Sequence, residues 1–274
     1  MRKAAKPDAS GRLRLAIYQL ALLGGIFIFW HLMTNPGLVS EDFARNSAFF
    51  FGRPLAVLQK IAEWFASGKI YEHLLVTLVE TLAAFVAGTA LGLGIGLWLA
   101  LSPTASALAD PYIKALNAMP RVILAPIFAV WFGLGMLSKI ALGVTLVFFI
   151  VFFNVYQGVK EVSPVVLNNA RMLGASAHQL LRTVYVPSAM SWVFSSLHTS
   201  VGMAFVGAVV GEYLGSARGV GYLILQAEGA FDINTVFAGI LVLTAFALVL
   251  DALVSVAEKR LLVWQPVQGE TEPL

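Results

Sequence analysis

The chain has 274 residues, of which 59% are hydrophobic and 12% charged. An average soluble domain is about 25% charged, so the composition excludes a soluble fold that must cover its surface with polar groups. Cysteine is absent, which excludes disulfides and thiolate metal sites, and the net charge of +3 comes without any basic patch interleaved with aromatics that would point to nucleic acid.

Met1 to Arg14 holds five basic residues, Arg2, Lys3, Lys6, Arg12 and Arg14, and an apolar run follows from Leu15 through Trp30. No small-x-small cleavage site ends that run, so it reads as an uncleaved first span behind a cytoplasmic tail at 1–12. A hydrocarbon core of about 30 Å needs about 20 apolar residues in a helix. Six segments qualify, at 13–33, 74–101, 116–135, 138–157, 188–211 and 235–257. The expected fold class is therefore all-α: a polytopic membrane protein with about six transmembrane helices between residues 13 and 264, and a disordered tail at 265–274.

Between the first two spans, Leu55, Leu58, Ile61 and Phe65 recur at helical spacing within 54–66. This predicts an amphipathic helix lying at the membrane surface. The second span has Gly88, Gly92 and Gly96 four residues apart, which makes a groove for a neighbouring helix. Gly133, Gly135, Ser138 and Lys139 mark a tight turn between the third and fourth spans.

Loop charges orient the chain. With the N-terminus in the cytoplasm, the inner segments hold the five tail residues with Lys114, Arg121, Lys160, Arg171, Arg182, Lys259 and Arg260. The outer segments hold Arg45, Arg53, Lys60, Lys69, Lys139 and Arg218. Twelve against six places both termini inside.

The inner loop at 158–187 is long and patterned. Val166, Ala170, Leu173, Ala177, Leu180, Leu181 and Val184 define one apolar face, while Asn168, Arg171, His178, Gln179 and Arg182 fall largely opposite. Gly174 allows a bend between two short helices. With only two arginines on the polar face, a protein partner fits this pair better than a lipid surface does.

Asn168-Asn169-Ala170, three residues, Gly174, nine residues, then Val184-x-Val186-Pro187 resembles the coupling-loop signature of bacterial ABC importer permeases, which is Glu-Ala-Ala, three residues, Gly, nine residues, Ile-x-Leu-Pro. The departures are Asn168 and Asn169 in place of Glu and Ala. The resemblance extends through Asp110-Pro111, Asn117 to Arg121, Pro126, Trp131 to Gly135, Ser138-Lys139, Ala175-Ser176, Glu212 and Arg218 to Ile224. These look like the nitrate/sulfonate/taurine branch.

The resemblance implies the type I ABC importer permease fold in a bacterial inner membrane. It further implies a second copy of the chain, two ATP-binding subunits on the coupling loop, and a periplasmic binding protein that delivers a small anion. Coupling would fall to Asn168, Asn169, Ala170, Arg171, Gly174, Ala175 and Pro187. No G-x-x-x-x-G-K-[ST] phosphate loop occurs, so ATP and Mg belong to a partner chain and this one binds no cofactor and no metal.

Candidates for the translocation pathway are Thr77, Glu80, Thr81, Asn117, Asn154, His198 and Thr199. An ionisable group inside a span faces water or a partner. Glu80 accordingly lines an outer pathway or bonds another helix, for example at His198, and Asp251 makes a structural salt bridge. The stretch between Glu212 and Arg218 either caps the pathway or is a surface turn. Two other readings remain open: a self-contained secondary transporter, which predicts inverted repeats and paired intramembrane carboxylates, and an intramembrane enzyme, for which His198 lacks a companion.

Overall fold

The structure, a computed structural model, describes residues 9–261. Among them no strand occurs. In chain order the elements are α1 (Ala9–Thr34), α2 (Glu41–Phe51), α3 (Pro54–Ser67), α4 (Lys69–Leu101), α5 (Pro103–Ala118), a 3-10 turn (Arg121–Leu124), α6 (Ala125–Phe132), α7 (Met136–Lys160), α8 (Pro164–Met172), α9 (Ala177–Leu180), a π turn (Leu181–Tyr185), α10 (Val186–Ser195), α11 (Leu197–Leu214), α12 (Val220–Gly229) and α13 (Ile233–Leu261). They fall into two compact units.

Of the described residues, the first unit holds 9–68 and 226–242. Trp30 joins its parts. Its indole N–H donates to the Phe51 carbonyl at 3.1 Å, and its ring lies 5.8 Å from Phe237 at the start of α13. The Arg53 N–H donates to the Asn234 side chain at 2.7 Å. In α3, which begins with Pro54 in its first turn, Val57 and Trp64 are buried while Leu55, Leu58 and Phe65 face outward. The apolar stripe that marked this helix in the sequence is thus mostly its exposed side.

Of the described residues, the second unit holds 69–225 and 243–261, and its core is built on α7. Val147, Val151 and Val155 of α7 press into α4 at Gly88, Gly92 and Gly96, where an added Cβ would come within 2.7–2.9 Å of the valine side chains. Elsewhere along α7, Gly143 meets Ala84 of α4 and Gly207 of α11, and Gly158 meets Trp192 of α10. Ala189 and Val193 of α10 and Ala204 of α11 complete the buried cluster. Lipid offers no hydrophobic drive between helices, so backbone-close packing through glycine is what holds such an assembly.

Among the described residues, five helices are long and apolar enough to cross a membrane, at Leu13–Thr34, Lys69–Leu101, Met136–Lys160, Leu197–Leu214 and Ile233–Val256. The third span, expected at 116–135, is not one helix. Pro103–Ala118 and Arg121–Phe132 are bent by 87°, and they make a sixth span only when taken together. Pro120 is the reason: it lacks an N–H and forces its predecessor out of helical geometry, and Met119 and Pro120 are both extended.

The fifth span, expected at 188–211, is divided at Ser196 into α10 and α11. The loop expected from Gly158 starts later, because α7 runs on to Lys160 and buries Gly158. At the N-terminus α1 begins at Ala9, inside the expected tail. The rest of that tail and the one at 265–274 lie outside the described residues.

Candidate functional site

Two places concentrate the residues singled out by sequence. The first is the loop between α7 and α10. Ser163 and Pro164 open α8, and Gly174 closes it. The Gly174 N–H donates to the Arg171 carbonyl at 2.9 Å, and the Ala175 N–H reaches back to the Ala170 carbonyl at 3.0 Å. This pair of bonds is the Schellman arrangement, which needs a left-handed residue at its centre, and Gly174 has φ +83°. The alanine-to-glycine spacing is therefore the spacing of a helix stop.

Ser176 then restarts the helix. Its Oγ accepts the Gln179 N–H at 3.3 Å, and the Gln179 side chain accepts the Ser176 N–H at 2.7 Å, forming a capping box. Pro187 lies in the first turn of α10.

Asn168, Asn169 and Arg171 are exposed, and Ala170 and Ala175 are half-buried. The single apolar face expected across the loop is split. Leu180 is buried, whereas Met172 and Leu173 at the bend are 86% and 89% exposed. Sequence reasoning put Leu173 with Leu180 because the spacing runs unbroken through Gly174. The left-handed turn there resets the direction in which the side chains point.

The second place is a buried polar group where α4, α7 and α11 meet the turn at 215–219. Thr77, Glu80, Thr81, Lys139 and Glu212 are all 1% exposed or less. Glu212 accepts the Thr77 hydroxyl at 2.6 Å on Oε1 and the Gly221 N–H at 2.7 Å on Oε2. The Val220 N–H donates to Thr77 Oγ1 at 3.2 Å. His73 Nδ1 lies 3.1 Å from both the N and the O of Gly219, and Thr81 donates to the Thr77 carbonyl at 2.7 Å.

Lys139 donates to the carbonyls of Leu134 and Gly135 at 2.5 and 2.9 Å. At the rim, Arg218 pairs with Glu72 at 3.2 Å. A cavity of about 280 Å³ opens beside the group, lined by Val76, Glu80, 134–136 and 216–218.

Glu80 does not reach His198: it is buried beside Glu212. His198, on the first turn of α11, lies 2.7 Å from Asp251 and 2.8 Å from Glu258 through its two ring nitrogens. Asp251 thus has His198 as its ion-pair partner. Thr199 is exposed. Asn117, at the end of α5, accepts the Arg121 guanidinium, which also stacks 4.4 Å above Phe149. Asn154 donates to the Ile150 carbonyl of its own helix at 2.8 Å.

Of the pathway candidates, the structure gathers Thr77, Glu80 and Thr81. Asn117, Asn154, His198 and Thr199 lie on other segments, the first three with partners of their own. Lys139 was counted among loop charges, and its burial overturns that. It lies four residues after Gly135, within reach of the turn's carbonyls, but no local pattern marks it as buried.

Comparison with known proteins gives these sites their setting. Residues 92–263 match the family described as binding-protein-dependent transport system inner membrane component. The chain is 31% identical to the permease protein SsuC of Bacillus subtilis (strain 168), named for aliphatic sulfonates transport, over 93% of this chain and 90% of that protein. It is 28% identical to the taurine transport system permease protein TauC of Escherichia coli (strain K12), over 93% and 91%. A chain from inward-facing structures of the MetNI methionine ABC transporter shares the fold, with a TM-score of 0.60 at 17% identity, over 70% of this chain and 94% of that one. The family match covers more than half of the sequence, and this chain belongs to the binding-protein-dependent transport system inner membrane components: it is a membrane-spanning permease subunit of the ABC importer kind.

Proposed function

We propose that two copies of this chain form the pathway of an ATP-driven importer in a bacterial inner membrane. Two ATP-binding subunits, which hold the ATP and Mg, dock on the loop between α7 and α10. A periplasmic binding protein delivers the solute, a small anion of the sulfonate, taurine or nitrate kind. Both termini and the docking loop face the cytoplasm.

The observation that carries this reading is the bend at Gly174. Met172 and Leu173 project almost wholly into the open between two short helices, as apolar anchors do when a helix enters a partner's groove. The coupling residues are Asn168, Asn169, Ala170, Arg171, Gly174, Ala175 and Pro187. Thr77, Glu80, Thr81, Asn117, Asn154, His198 and Thr199 serve the pathway, in part by positioning its walls. The family match favours this reading over a self-contained secondary transporter.

The test is co-purification of the chain with the ATP-binding subunit encoded beside it, followed by native mass measurement and reconstituted transport. Two permease copies with two ATP-binding subunits, moving sulfonate only when the binding protein is added, are expected. A single permease per complex, or uptake without the binding protein, overturns it.

A further inference from the structure

Two carboxyl groups and an ammonium share one buried site in the second unit. Glu80 and Glu212 are buried beside each other, and two adjoining buried carboxyls share a proton rather than both carrying charge. Glu212 uses both oxygens as acceptors, one for the Gly221 N–H, which can only donate, and one for the Thr77 hydroxyl. So held, Glu212 is the better seat for the charge and Glu80 for the proton. Lys139 is the buried cation of the group, its ammonium held by the carbonyls of Leu134 and Gly135. One positive charge, one negative charge and one proton leave the group neutral. Oε2 of Glu80 has no hydrogen-bond partner among the described residues, beside the cavity that Glu80 lines.

Glu212 joins α4 to the start of α12, directly after the turn that walls this cavity. It takes the Gly221 N–H directly and the Val220 N–H through Thr77. A side chain at Gly219 would run into its carboxyl. The other titratable groups nearby are already engaged, His73 with Gly219 and Glu72 with Arg218.

We infer that Glu80, Glu212 and Lys139 are positioning residues of the transport cycle, a neutral, single-proton clamp that holds the turn 215–221 onto α4 and keeps the adjoining cavity walled. Removing either charged member, Lys139 or Glu212, strands a buried charge, which is far more disruptive than removing both together. The clamp's place in transport rests on the function proposed above, whereas its existence does not.

The chain has no cysteine, so a single reporter is clean. Val220 is fully buried beneath the turn, and Val220→Cys in purified protein reads whether the turn lifts. Labelling by a thiol reagent should be slow in the otherwise native chain and in Glu80→Gln, which removes no charge. It should be at least about tenfold faster in Lys139→Met, because local opening relieves the stranded charge. It should return towards the native rate in Lys139→Met/Glu212→Gln. If Lys139→Met does not fold, recovery of monodisperse protein in the double variant carries the same information.

Native-like protection in Lys139→Met, or a double variant no better than the single, overturns the clamp, and so does a Glu80→Gln chain that labels as fast as Lys139→Met. Reconstituted uptake should fall in Lys139→Met and recover towards native in Lys139→Met/Glu212→Gln. The expected labelling with uptake unchanged overturns the role in transport, and a native chain that moves no solute at all overturns the importer reading while labelling still decides the clamp.

Discussion

Gly92 of α4 backs onto Val151 of α7 so closely that a Cβ at Gly92 would lie 2.8 Å from the Val151 Cβ and 2.9 Å from the Phe148 carbonyl oxygen. Gly92→Val forces the two helices apart and should destabilise the protein by about 1–3 kcal/mol, the range for overpacking. Gly94, two residues on, has nothing within 4 Å, and Gly94→Ala should be neutral or better. Thermal unfolding of the two variants in one detergent checks the contrast.

Gly174 is constrained for a different reason. It too has open space around it, but its φ is +83°, which costs an ordinary L-residue about 1–2 kcal/mol. Gly174→Leu should therefore leave membrane insertion intact while weakening retention of the ATP-binding subunit and uncoupling its hydrolysis. Gly174→Asn, which tolerates the left-handed region, should behave close to native. Equal defects in both variants would mean that bulk, not backbone angle, is sensed at the loop.

The His198 contacts to Asp251 and Glu258 tie α11 to the later part of α13, with His198 and Asp251 side chains 37% and 61% exposed. Partly solvated pairs of this kind contribute about 0–1 kcal/mol and are screened by salt. His198→Ala should lower stability by no more than that, and a double-mutant cycle with Asp251→Asn should show the coupling shrinking at high salt. A larger, salt-independent coupling would assign the histidine a deeper structural part than its exposure suggests.

Orientation is open to direct measurement. With Lys139 buried rather than in a loop, twelve inner basic residues face five outer ones, a stronger asymmetry under the positive-inside rule. In the cysteine-free chain, Leu173→Cys should be shielded from an impermeant thiol reagent in intact spheroplasts and labelled in inverted vesicles. Ala217→Cys should show the reverse. The opposite pattern would place the docking loop outside and end the importer reading.

How much of this was legible beforehand depended on which physical rule had a local signature. Glycines at 88, 92 and 96 announced a close helix contact, and the structure supplies its partner valines. Gly174 was legible as a bend between two short helices, and the structure shows how it bends, through a left-handed turn. Pro120 was visible too, yet the apolar run across it outweighed its effect on Met119, and the bent pair was read as a straight span. The buried group escaped for a deeper reason. Glu80 and Glu212 are far apart in sequence, and nothing local distinguishes a lysine that snorkels to water from one such as Lys139 whose ammonium is taken up by the carbonyls of Leu134 and Gly135. Only the packing of three helices decides that.

Lys139 lies in the first turn of α7, and the docking loop leaves from its last residue, Lys160. The 25 residues between Met136 and Lys160 make a rod of about 37 Å at 1.5 Å per residue, keyed along its length into notches of α4 and free of proline. Such a rod has no slack in which to absorb a small stroke. In the proposed importer, a thrust from nucleotide closure against the loop would arrive at the ammonium at the other end of α7 as the same thrust, so the engine and the latch share one piece of steel.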